Sequence, residues 1–134
     1  MNEEREIRLL MVDANEADTE KIFTQLREAG MRIAAERVES EEGLTSALRD
    51  LKPHVVLSEH SLPLLDYRTT LKVVQSVRPG TPVIVMSGPL REEATGSCVR
   101  AGAESFISKL NSGMLPAAIS AALEAREPLT RLTS

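Results

Sequence analysis

"VVLSEHSLPLLD" spans residues 55–66 and changes character within five residues. Val55, Val56 and Leu57 form an unbroken apolar run, Ser58 interrupts it, and Glu59 ends it with a charge. A short apolar run bounded by polar and turn residues is the pattern of a strand buried on both faces, as in a parallel sheet. Pro63 follows four residues after Glu59, and Asp66 closes the stretch. A core strand therefore delivers a carboxylate to its tip.

The same pattern recurs on either side. "IRLLMV" (7–12) and "PVIVMS" (82–87) are apolar runs of similar length, and "MRIAAERV" (31–38) and "SFIS" (105–108) complete five predicted strands. Helical spacing fills the intervals. Ala17, Ile22, Phe23, Leu26 and Ala29 predict a helix over 15–30, stopped by Gly30. Ser40 reads as the N-cap of a second helix, with Glu41 and Glu42 where the helix dipole favours anions. It runs to about Leu51 and is stopped by Pro53. Leu71, Val73, Val74 and Val77 predict a third over about 67–78. A fourth is expected over 90–103, weakened by Gly96. A fifth is expected over 112–126, with Pro116 tolerable only in its first turn.

Strand and helix alternating five times imply an α/β fold with a parallel sheet between helices. Right-handed crossovers leave few topologies. The expectation is a flavodoxin-like (βα)5 doubly wound three-layer sandwich with strand order 2-1-3-4-5. Residues 1–126 form one domain, and 127–134 a C-terminal tail or the start of a linker.

Composition narrows the function classes. The chain has 134 residues, enough for one core without staples. Phe23, Phe106 and Tyr67 are its only aromatic residues apart from histidines, so surfaces for stacking bases are nearly absent. A net charge of −4 lacks the basic face that nucleic acid rewards. Cys98 is the single cysteine, so no intrachain disulfide forms, which suits a cytoplasmic location. No apolar run approaches the roughly 20 residues that span a bilayer. The N-terminal "MNEEREIR" lacks the apolar segment of a signal peptide.

In such a sheet every strand ends on the same edge, where ligands bind. The residues there are Asp13 after strand one, Ser58 and Glu59 at strand three, Ser87 at strand four, and Ser108 and Lys109 at strand five. Any one of them is what a strand shows on reaching solvent. Two carboxylates, a hydroxyl and an ammonium converging on one edge make a site. Neighbouring acids repel unless a cation lies between them, and a hard metal or the lysine can serve.

These residues resemble the receiver domain of two-component response regulators over about residues 7–125. The marks are "LLMVDAN", "VVLSEHSLP", "VIVMSG" and "AGAESFISK". "SEHSLP", "MSGPLREE" and "SKLN" are similar to receivers that sit beside sensory, kinase or cyclase modules. The resemblance implies a phosphoacceptor aspartate at the tip of strand three, a pair of acids after strand one that holds Mg²⁺ with it, and a hydroxyl and a lysine that contact the phosphoryl oxygens. By position Glu59 stands for the acceptor and Asp13 for the first acid. Ser87 is the hydroxyl, Lys109 the lysine, and Phe106 the aromatic whose rotamer tracks activation. The metal set would be Asp13, Glu59 and the backbone carbonyl of Ser61. Partners implied are a histidine kinase or fused output modules, with a possible homodimer through the fourth helix, fifth strand and fifth helix. Neither nucleic acid nor a membrane is expected.

Two departures matter. The acceptor position carries Glu59, and the second acid is replaced by Ala14. Losing a carboxylate weakens a hard-cation site, and in-line phosphoryl transfer depends on positioning and metal. The expectation is a non-enzymatic, phosphorylation-independent interaction module with no cofactor, or at most weak Mg²⁺. Glu59 is expected to reach toward Ser87 and Lys109 and partly imitate a phosphorylated acceptor. The alternatives are a working phosphoacceptor with an unusual site and a flavodoxin-like FMN enzyme. The acidic "DANEADT" loop disfavours the latter. A metal-dependent phosphatase fits poorly, because Asp13 is followed by Ala-Asn.

Other polar residues have plainer readings. His54 is structural, His60 a solvated loop residue, Cys98 an inert buried thiol, and Asp66 the N-cap of the third helix. Tyr67 packs. Arg91, Glu92, Arg100 and Glu104 form a solvated face.

Overall fold

The computed structural model describes residues 6–60, 62, 65–88 and 99–125. Five strands, β1 (Ile7–Val12), β2 (Ile33–Val38), β3 (Val55–Glu59), β4 (Val83–Ser87) and β5 (Ser105–Ser108), form one sheet in the order β2-β1-β3-β4-β5. Every pairing is parallel. This is the flavodoxin-like arrangement expected from the sequence.

The central strands are apolar because both of their faces are covered. Leu9, Met11, Val55, Leu57, Ile84, Met86 and Ile107 point to one side. They pack there against Ile22, Phe23 and Leu26 of α1 (Glu16–Glu28) and against Leu115 and Ile119 of the last helix (Leu115–Glu124). Leu10, Val12, Val56, Val83 and Val85 point to the other side. Their partners are Leu44 and Leu48 of α2 (Glu41–Asp50) and Leu71 and Val74 of α3 (Tyr67–Val77). The alternation of two follows from the strand's side-chain period. It gives three layers with two aliphatic cores.

Capping fixes the helix starts. Asn15, Ser40 and Asp66 each accept a hydrogen bond from a first-turn backbone N–H, at Asp18, Gly43 and Thr69. The Ala101-Gly102-Ala103 turn before β5 needs its glycine. Gly102 has φ +114°, and an added Cβ would lie 3.0 Å from Gln75 Nε2.

Three boundaries differ from the sequence reading. β2 begins at Ile33, two residues late, because Gly30 and Met31 bond back to the end of α1. The last helix begins at Leu115, and residues 109–114 form a 3-10 turn instead. Asn111 there has φ −114° and ψ 34°, which no α-helix accommodates. Pro116 does fall in the first turn. Of the helix expected over 90–103, residues 89–98 lie outside the described residues, Val99 and Arg100 are helical, and 101–103 form the turn. The tail at 127–134 is also outside them.

Candidate functional site

Register brings the strand tips together. Val12 pairs with Ser58, Glu59 with Met86, and Ser87 with Ser108. Asp13, Glu59, Ser87 and Lys109 therefore share one edge of the sheet.

Asp13 is almost fully buried, with 2% of its surface exposed. A carboxylate so buried must be paired and hydrogen-bonded. Asp13 Oδ1 accepts from the Asn15 backbone N–H at 2.9 Å, and Oδ2 receives Lys109 Nζ at 2.9 Å. Glu59 follows the same scheme. Its Oε2 accepts from the His60 backbone N–H at 2.9 Å, and its Oε1 receives Lys109 Nζ at 3.0 Å. Ser87 is half-buried beside them and makes no hydrogen bond to Glu59. Glu59 thus reaches one of the two partners expected for it.

A third acid joins the lysine. Asp18 Oδ2, in the first turn of α1, lies 3.1 Å from Lys109 Nζ. Sequence reasoning missed it. The available signal was its place three residues after the Asn15 cap, in a helix that starts at the same edge. Burial lowers the lysine pKa, but the hydrogen bonds to Asp13, Glu59 and Asp18 outweigh it. The net effect raises the Lys109 ammonium above the ordinary lysine value.

The next residue faces the other way. His60 was expected to be solvated, and it is half-buried instead. Its ring stacks on Tyr67 at 4.9 Å between centroids and meets Phe106 edge-on at 6.3 Å. Tyr67 is buried, as its packing role required, and its hydroxyl accepts from Arg68 Nε at 3.1 Å. Phe106 is half-buried on β5. His54 Nδ1 accepts from the Arg8 backbone N–H at 2.9 Å, a structural role as expected. Asp66 caps α3, and the Thr69 N–H holds its carboxyl below the usual value. Arg100 and Glu104 are exposed. Ser61, Arg91, Glu92 and Cys98 lie outside the described residues.

The profile of the response regulator receiver domain family matches residues 9–120. The chain belongs to that family. It is 32% identical over 112 residues to a protein-glutamate methylesterase/protein-glutamine glutaminase of Anaeromyxobacter dehalogenans, covering 83% of this chain and 31% of that protein. It is 35% identical over 113 residues to another of that name from Methanosarcina mazei, covering 81% of this chain and 30% of that protein. The chain thus spans about a third of the length of these relatives. Among solved structures, it is similar to the signal receiver domain of a LuxO repressor protein from Vibrio parahaemolyticus, with a TM-score of 0.79 and 19% identity over 97% of this chain and 98% of that one. A receiver domain from Clostridium thermocellum gives 0.77 and 21%, over 92% and 98%. These likenesses support the fold. Receiver domains act in two-component signalling, where they interact with histidine kinases and output domains.

Receivers commonly bind Mg²⁺ at this edge, and the described residues here do not fit it. Ala14 offers no side-chain oxygen, and one oxygen each of Asp13 and Glu59 is already on Lys109 Nζ. A hard divalent cation needs about six oxygens near 2.1 Å. Among the described residues no set of His, Cys, Asp and Glu is arranged to hold one. No described helix is long and apolar enough to cross a membrane.

Proposed function

We propose that this receiver is a regulatory protein-interaction module that works without being phosphorylated. Glu59 holds the acceptor position, Asp13 is the remaining pocket acid, and Ser87 and Lys109 stand where phosphoryl oxygens would be contacted. Phe106 is the switch aromatic. The observation that carries the reading is the 3.0 Å ion pair between Lys109 and Glu59. It puts a carboxylate on the lysine that a phosphoryl group would otherwise engage, with one carboxylate in place of three oxygens, so the imitation is partial. Partners are proteins: a histidine kinase, or an output module. The methylesterase relatives favour an effector of that class as the output.

The test is a gain of function. Ala14→Asp with Glu59→Asp restores the missing acid and the shorter acceptor. The double variant should bind Mg²⁺ more tightly than the wild type and form an acyl phosphate with a small phosphodonor, while the wild type forms none. No gain in either would mean that these positions are not the pocket.

A further inference from the structure

The pocket holds a cation of its own. A lysine ammonium has three N–H donors and no acceptor. At Lys109 the three carboxylates within reach are Asp13 at 2.9 Å, Glu59 at 3.0 Å and Asp18 at 3.1 Å, one for each donor. They come from three different elements: the tip of β1, the first turn of α1 and the tip of β3. We infer that Lys109 is the resident cation of this pocket and that Asp18 is the positioning residue that keeps it there, closing the site to divalent metal. This rests on, and deepens, the reading of the chain as a receiver that is not phosphorylated.

The outer oxygens support the assignment. Asp13 Oδ1 accepts from the Asn15 backbone N–H, and Glu59 Oε2 shares the His60 backbone N–H with the Met86 carbonyl. Each carboxylate is therefore oriented with its remaining oxygen toward the lysine. A metal entering here would have to expel the ammonium and then find ligands among oxygens already committed. Asp18 decides how firmly the ammonium is held. With two acids, one donor would remain for an incoming oxygen; with three, none does. Asp18 is placed by its own backbone, whose N–H donates to Asn15 Oδ1 at 2.9 Å. The α1 N-terminus favours a carboxylate at that position. Its side chain is 38% exposed, against 3% for Asp13. Asp18 and Lys109 also line the open groove along α1. Asp18 is thus the arm of the clamp that solvent and ions reach first.

The experiment uses the full chain, the Lys109 side-chain ¹⁵N signal, and Mn²⁺ as a paramagnetic probe of the Asn15, His60 and Leu110 amides. In the wild type the ammonium signal should be protected from exchange, and Mn²⁺ up to about 10 mM should give no saturable broadening, far beyond the range of built cation sites. Asp18→Asn should speed ammonium exchange several-fold and admit Mn²⁺ broadening at those three amides. Lys109→Met should bind Mn²⁺ more tightly still. If that variant does not fold, Asp18→Asn alone decides. Saturable Mn²⁺ binding by the wild type below about 1 mM, or an unchanged Lys109 signal in Asp18→Asn, overturns the clamp. The two readings fail separately. Mn²⁺ binding without acyl phosphate sinks the clamp and leaves the proposed function, whereas acyl phosphate on Glu59 with Lys109 still protected does the reverse.

Discussion

Glu59 and His60 are adjacent in sequence and enter two different environments. Glu59 turns into a cluster of three acids and one lysine, held by charge-assisted hydrogen bonds of 2.9–3.1 Å. His60 turns into a cluster of rings, held by stacking on Tyr67 and an edge contact with Phe106. One strand tip thus anchors an ionic side and an aromatic side of the same edge. The ionic side is specific about charge and tolerant of small shape changes. The aromatic side is specific about shape.

The largest expected effect comes from breaking the ionic side. Lys109→Met leaves three facing acids without their cation, and removing one partner of a buried ion pair costs about 3–5 kcal/mol. Urea unfolding should show that loss, and a change below about 1 kcal/mol would mean that the cluster is solvated. Next comes the aromatic side. Tyr67→Ala removes a buried ring and should cost about 3 kcal/mol. His60→Ala is smaller, about 1 kcal/mol, the size of an aromatic pair. If it costs nothing, the stack contributes no stability.

A pH series separates the two sides. The Lys109 pKa is raised in the folded protein. Its contribution to stability is therefore complete below the unfolded lysine value of about 10.4 and is lost as pH rises from there toward the folded value. The wild type should lose stability over that window and Lys109→Met should not. The difference between wild type and Lys109→Met should therefore shrink across the window, which assigns the loss to the ionic side.

Much of this was legible in the sequence. The apolar runs gave the strands, and Ser40 and Asp66 capped as read. The residue ending each strand placed Asp13, Glu59, Ser87 and Lys109 on one edge, because a parallel sheet puts all its tips together. Two things were not legible. Asp18 meets Lys109 only through the angle at which α1 leaves the sheet, a tertiary property that helical spacing does not encode. His60 stacks on Tyr67 with the Tyr67 N–H on the His60 carbonyl at 3.3 Å, a contact between residues seven apart. A lone loop histidine carries no periodicity to reveal that. The late start of the last helix reflects Asn111 and Gly113, poor helix formers a few residues before Pro116.

The most direct measurement is intact mass after incubating the wild-type protein with Mg²⁺ and a small phosphodonor. With Lys109 already bonded to Glu59, Asp13 and Asp18, the mass should remain that of the unmodified chain. Stoichiometric acyl phosphate, located on Glu59 by peptide mapping, would contradict the account.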